Sequence, residues 1–122
     1  MKYLLDTHIL IWWLQDSPRL SSNFSEIIEN EMNIKYVSVA SIWEIVIKVT
    51  SGKLNMGKSV NFIISKLFEF KMLDINLKHV LEIANLPSFH KDPFDRIMTA
   101  QAKVEGLIFL TADRKIMKYF RS

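Results

Sequence analysis

The chain has 122 residues, 49% of them hydrophobic and 24% charged, and it contains no cysteine. A domain of this size buries roughly two-thirds of the surface its unfolded chain exposes, enough for a core without staples. The missing cysteines exclude a disulfide framework and a thiolate metal site. A net charge of +3, from 16 basic and 13 acidic side chains, permits a nucleic-acid partner without demanding one.

In chain order, Lys2 to Leu5 is a brief apolar run without alternation, the pattern of a buried parallel strand. Thr7 to Gln15 suits a largely buried helix, broken at Asp16-Ser17-Pro18. Ser21 to Met32 places Phe24, Ile27, Ile28 and Met32 at helical spacing, with glutamates opposite. Ile34 to Val39 reads as the second strand, and Ser41 opens a helix that runs to about Thr50. Val60 to Phe70 is amphipathic and helical; Met72 to Ile75 is a short strand, and Leu77 to Asn85 a helix. After the loop at Leu86-Pro87-Ser88, Asp92-Pro93 starts a helix that continues to Glu105 and stops at Gly106. Leu107 to Leu110 is the fourth strand, and Ala112-Asp113-Arg114 leads into a final short helix.

Strands alternating with helices predict an α/β fold: a three-layer α/β/α sandwich around a central, mostly parallel sheet of four or five strands. There is no repeat or linker, so residues 1–122 read as a single domain. Asp6 and His8 interrupt the apolar start, no small-residue cleavage site follows, and no apolar run approaches the roughly 18 residues of a membrane span. The expected setting is cytoplasmic, with no membrane partner.

Functional groups of open α/β sheets gather at the carboxyl ends of the strands. Asp6, Glu44, Asp95 and Asp113 all fall at that edge in this reading. Singly, each has a local explanation. Ser41-Ile42-Trp43-Glu44 fits a capping box, and Asp92 with Pro93 fits a helix start in which the dipole favours Asp95; Asp6 and Asp113 could cap their own helices. Together they are harder to dismiss, because converging carboxylates repel unless a cation lies between them. Hard divalent ions such as Mg²⁺ fit such a set, and the chemistry that follows is phosphodiester hydrolysis.

The ordered set Leu4-Leu5-Asp6-Thr7-His8, Ser38-Val39-Ala40-Ser41-Ile42-Trp43-Glu44-Ile45, His90-Lys91-Asp92-Pro93-Phe94-Asp95-Arg96, Ala100-Gln101-Ala102 and Leu110-Thr111-Ala112-Asp113 resembles PIN-domain proteins of the VapC-like type, the ribonuclease toxins of toxin–antitoxin pairs. The resemblance covers almost the whole chain. It implies that Asp6, Glu44, Asp95 and Asp113 hold Mg²⁺ or Mn²⁺ and carry catalysis, with Thr111 as the hydroxyl beside the last acid. Asp92 is assigned to capping first and to the metal shell second, and Ala112 stands where many relatives carry a polar residue. The resemblance further implies an RNA substrate cut to leave a 5′ phosphate, a small antitoxin partner and a homodimer.

Other residues are weighed beside these. Thr7, Arg96 and Arg114 adjoin the proposed ligands and are candidates for RNA contact or for supporting the metal shell; Lys48, four residues after Glu44, fits a helix ion pair. His8 reads as packed or at an interface, and His79 as structural or solvent-facing. His90 either approaches phosphate or packs in its loop. Trp12 and Trp13 mark the first helix as a candidate dimer or antitoxin contact. An aspartyl phosphotransferase would carry a second Asp two residues after the first, where this chain has His8. A non-catalytic PIN-like binding module for nucleic acid or protein is the remaining alternative.

Overall fold

Tyr3, Leu4 and Leu5 of β1 (Lys2–Leu5) are all buried. A strand hidden on both faces needs no alternation, hence the continuous apolar run. β1 pairs in parallel with β2 (Ile34–Ser38) on one side and β4 (Ile108–Leu110) on the other, while β3 (Lys71–Leu73) extends the sheet beyond β2. The computed structural model describes residues 1–57 and 60–120, and within them the sheet is four-stranded, all parallel, in the order β3-β2-β1-β4. The chain steps outward from β1 to β2 to β3, then crosses back to place β4 on the other flank of β1. That reversal leaves a switch point between the carboxyl ends of β1 and β4, the place where open α/β sheets bind ligands.

Alternate side chains of β1 feed two cores. Tyr3 and Leu5 join Ile9 and Leu10 of α1 (Thr7–Leu14), Ile28 of α2 (Ser22–Glu29), Ile45 of α3 (Val39–Thr50) and Ile63 of α4 (Val60–Ser65). Leu4 faces the other way, with α5 (Leu77–Glu82) stacked behind α6 (Pro93–Glu105). Ile97, Met98 and Ala102 of α6 and Ile116 of α7 (Arg114–Met117) complete that second core. The three-layer sandwich is therefore as expected, with four strands.

Several boundaries differ from the sequence reading, for local reasons. α2 ends at Glu29 rather than Met32, because Asn30 leaves the helical region and its side chain accepts from Met32 N at 2.9 Å, forming a turn. α3 starts at Val39, straight out of β2, and its cap is Ser38, whose hydroxyl accepts from Ala40 N at 3.0 Å. Ser41 lies inside that helix. The segment beginning at Val60 is α-helical only to Ser65 and tightens into a 3₁₀ turn over Lys66–Glu69; α5 likewise gives way to a 3₁₀ turn over Ile83–Asn85. β3 sits slightly earlier than expected, and β4 begins at Ile108. α6 matches its expected limits: Asp92 caps it, Pro93 is its first residue, and Gly106 at φ 67° closes it in the left-handed conformation that glycine favours. Among the described residues, no helix is long and apolar enough to cross a membrane.

Candidate active site

Asp6 stands at the switch point. Its backbone N donates to Leu110 O at 2.9 Å, zipping β1 to β4 as far as the site, and its carbonyl starts α1 by accepting from Leu10 N. Its carboxylate makes no capping bond. Instead Oδ2 accepts from the Thr111 hydroxyl at 2.8 Å, and Oδ1 is buried with no hydrogen-bond partner. The same Thr111 oxygen accepts from Asp113 N at 3.0 Å, so one hydroxyl links the first acid to the last. Burial raises the Asp6 carboxyl above its ordinary range. The Thr111 bond, His8 and the Thr7 amide oppose that shift, while Glu44 adds to it.

Glu44 enters from the second turn of α3. No capping box forms, because Ser41 is not the cap. The Ser41 hydroxyl lies 2.9 Å from that of Thr7 and 3.1 Å from Met98 Sδ, a buried polar seam joining α1, α3 and α6. Thr7 is buried, and its hydroxyl pair with Ser41 fixes α1 against α3. Glu44 Oε2 accepts from Lys48 Nζ at 2.8 Å across one helical turn, as the spacing predicted, and Oε1 is buried without a partner.

The other two acids come from the second half of the chain. Asp92 Oδ1 accepts from Phe94 N at 2.8 Å and Asp95 N at 3.1 Å, which makes Asp92 the helix cap and leaves Asp95 pointing from the first turn of α6. Asp113 caps α7 through Lys115 N at 2.8 Å with its Oδ1. Between these two carboxylates sits His90: its Nε2 lies 3.1 Å from Asp95 Oδ2 and 3.4 Å from Asp113 Oδ2. Among the described residues, His90, Asp95 and Asp113 have potential ligand atoms within 4.8 Å of one another.

The four acids sense each other's charge. Burial chiefly, then Asp6, Asp92, Glu44 and Asp113 in that order, push the Asp95 carboxyl up to about 8. Crowded carboxylates with two buried, unsatisfied oxygens form a hard, all-oxygen donor set that fits Mg²⁺ or Mn²⁺. The residues present therefore suit the ion the resemblance implied.

Three further expectations can be set against the structure. Arg96 does not face outward to a phosphate: its guanidinium donates to the carbonyls of Ile83, Pro87 and His90 and to the Tyr119 hydroxyl, at 3.0–3.3 Å. It fastens the loop before α6. Trp13 packs edge-on against Phe70 at 5.3 Å and, like Trp12, lies partly buried against the first core; a more exposed apolar patch is formed by Val39, Trp43 and Ile47 of α3, Ile64 of α4 and Phe68 of the 3₁₀ turn after it. His79 is wholly buried, with Nδ1 accepting from Asn76 N and Nε2 2.8 Å from Glu105, a structural role. The sequence reading left His90 open; its position two residues before a capping Asp was the available signal.

Comparison with known proteins finds relatives along nearly the whole chain. Ribonuclease VapC22 of Mycobacterium tuberculosis (strain ATCC 25618 / H37Rv) is 28% identical over 118 residues, spanning 95% of this chain and 90% of that protein. Two solved structures share the fold. One is VapBC2 from Rickettsia felis, bound to a DNA fragment from their promoter, with TM-score 0.76 and 17% identity over 98% of this chain and 93% of that one. The other is VapBC-1 from nontypeable Haemophilus influenzae, with TM-score 0.69 and 21% identity over 98% and 92%. The sequence pattern of the PIN domain matches residues 3–120, and the chain belongs to the PIN domain family.

Proposed function

We propose that the protein is a metal-dependent endoribonuclease and the toxin of a toxin–antitoxin pair, acting in the cytoplasm as a single domain. The observation that carries this reading is the pair of buried, unsatisfied oxygens, Asp6 Oδ1 and Glu44 Oε1, at the switch point beside Asp95 and Asp113. Its 28% identity to a ribonuclease over nearly the full length supports the choice of substrate.

Asp6, Glu44, Asp95 and Asp113 would hold Mg²⁺ or Mn²⁺, which when bound supplies an activated water and charge stabilisation for phosphodiester hydrolysis. The chain's own groups prepare that site. Thr111 orients Asp6 and the backbone of Asp113; Asp92 builds the helix start that presents Asp95; Lys48 holds one oxygen of Glu44. Arg114 is exposed at the start of α7 beside Asp113 and would contact an RNA phosphate, a contact that positions substrate without reading its sequence.

The α3–α4 surface supports a protein partner. Val39, Trp43 and Ile47 lie four residues apart on α3 and are exposed, and an apolar groove of about 500 Å³ runs from Val39 and Ile42 to Phe68, which is 91% exposed. Contiguous exposed apolar surface of this kind marks interaction sites. The antitoxin is the partner assigned to it, and a homodimer is the expected state of the toxin.

The test is cleavage of total cellular RNA by antitoxin-free protein with Mg²⁺ or Mn²⁺, beside EDTA and Asp95→Asn controls. Discrete cuts that vanish in both controls are expected. Folded, metal-bound protein that cuts no RNA would favour the binding-module alternative, and activity surviving Asp95→Asn would show that the site is misplaced.

A further inference from the structure

His90 is built into its place more completely than a loop residue needs to be. Its backbone N donates to the Tyr119 hydroxyl at 2.8 Å, its carbonyl accepts from Arg96 at 3.2 Å, and Tyr119 and Arg96 bond each other at 3.2 Å. Tyr119 is buried, so this clasp joins the loop to the far end of the chain. The ring is fixed as well: Nδ1 accepts from Asp92 N at 3.0 Å.

That last bond decides what the ring can do. A backbone N–H can only donate, so Nδ1 carries a lone pair and the ring proton resides on Nε2. Nε2 is the atom that faces Asp95 Oδ2 at 3.1 Å and Asp113 Oδ2 at 3.4 Å. An N–H has no lone pair to give a metal. Although His90 falls within the tight group of possible ligand atoms, its tautomer leaves Nε2 no lone pair, and the polar N–H lies in close contact with both carboxylates.

We propose that His90 is a positioning residue, its ring standing between the Asp95 and Asp113 carboxylates with Nε2 in contact with both, and that it supports the metal shell without ligating the ion. The segment His90-Lys91-Asp92-Pro93-Phe94-Asp95-Arg96 then works as one unit. Asp92 caps the helix with its side chain and sets the imidazole tautomer with its amide, Asp95 supplies the carboxylate, and Arg96 reaches back to fasten the carbonyl of His90. Groups that orient metal-binding carboxylates typically contribute about 10–100-fold to metal affinity.

The inference rests on the nuclease reading for its relevance to catalysis, and the experiment separates the two. Wild-type protein labelled with ¹⁵N at histidine is observed by two-bond ¹H–¹⁵N correlation, metal-free and saturated with Mg²⁺, with His90 assigned by the signal lost in His90→Gln. The Nε2–H tautomer is expected in both states. On loading with ¹¹³Cd²⁺, no ¹¹³Cd–¹⁵N coupling is expected at His90; coupling, or an Nδ1–H tautomer, would overturn the proposal. Mn²⁺ binding is then measured for His90→Asn and His90→Gln. The glutamine amide nitrogen reaches about where Nε2 lies and the asparagine nitrogen does not. Asparagine should weaken binding by about 10–100-fold, and glutamine should recover most of that loss. No loss with asparagine, or equal loss with both, would overturn it. If His90→Asn fails to fold, the wild-type spectra still decide. Wild-type protein that passes these tests yet cuts no RNA would remove the nuclease reading and leave the positioning role standing.

Discussion

The two halves of the acidic site are built on different terms. Asp6 and Glu44, from the first half of the chain, are 2% and 4% exposed, and each keeps one buried oxygen with no protein partner. The Asp95 and Asp113 side chains, from the second half, are 15% and 38% exposed and share the His90 ring between them. Leaving a buried acceptor unsatisfied costs about 1–3 kcal/mol per group. The inner pair therefore keeps oxygens that only a cation completes, whereas the outer pair has the His90 ring in contact at 3.1 and 3.4 Å. The inner acids define where an ion sits; the outer acids, nearer solvent, meet both ion and substrate.

The strongest way to break that distinction is to neutralise the inner pair. Asp6→Asn and Glu44→Gln should each reduce RNA cleavage by about 10³-fold or more, since several kcal/mol of transition-state stabilisation depends on the ion they hold. Thermal unfolding in EDTA should show no loss of stability for Glu44→Gln, because the substitution relieves carboxylate repulsion in a site with nothing to bind. Cleavage that survived either substitution would mean the ion sits only among the outer groups.

The outer pair should declare itself through pH. The Asp95 carboxyl is pushed up to about 8 from an ordinary value of 3.8. The folded protein thus holds this proton more tightly than the unfolded chain does. The stability it contributes is in full force below 3.8 and is lost as pH rises through about 8. Urea unfolding in EDTA should show the wild type weakening across that window, by an amount on the order of a few kcal/mol. Asp95→Asn, which cannot ionise, should be flatter, and Mg²⁺ should restore wild-type stability at the alkaline end. Parallel pH profiles for the two proteins would remove Asp95 from the crowded cluster.

How much of this could be read from the sequence differs between the same two regions. Asp6 was legible because a short apolar strand ending in an acid places that acid at a sheet edge. The Asp92-Pro93 start of α6 was legible because cap, proline and closing glycine are all local signals. Ser41 was misread because a Ser-x-x-Glu pattern does not say where a helix begins; Ser38 takes the cap, and Ser41 is drawn into a hydroxyl pair with Thr7, 34 residues away in sequence. Arg96 was misread for a similar reason. Its acceptors are loop carbonyls between Ile83 and His90 and a hydroxyl on Tyr119, and a basic residue beside an acid looks the same whether it turns outward or inward.

That inward arginine offers the next smaller effect. Arg96→Met removes donors from three carbonyls and one hydroxyl, and hydrogen bonds to charged groups contribute about 1.5–3 kcal/mol. Because Arg96 is only partly buried and water can replace some of these donors, a destabilisation of about 2 kcal/mol is expected by urea unfolding. Mn²⁺ affinity should fall with it, as His90 loses its anchor, while the inner acids stay in place. A variant that lost stability but bound Mn²⁺ as wild type would separate the loop's structural work from the outer pair's geometry.

The smallest effect concerns the other arginine. Arg114 is exposed where Arg96 is tied down, and it follows directly on Asp113 at the rim of the site. If it meets a phosphate of the substrate, its loss should act on binding alone. Arg114→Ala should raise KM by several-fold with kcat little changed, and should reduce the slope of log binding against log salt by about 1, the signature of one phosphate contact removed. Arg96→Met should leave that slope untouched, because its guanidinium is already committed to carbonyls. Equal salt slopes for wild type and Arg114→Ala would place the RNA path away from the start of α7. A drop in kcat would instead mean that Arg114 touches the reacting phosphate, and the outer half of the site would then extend one residue beyond Asp113.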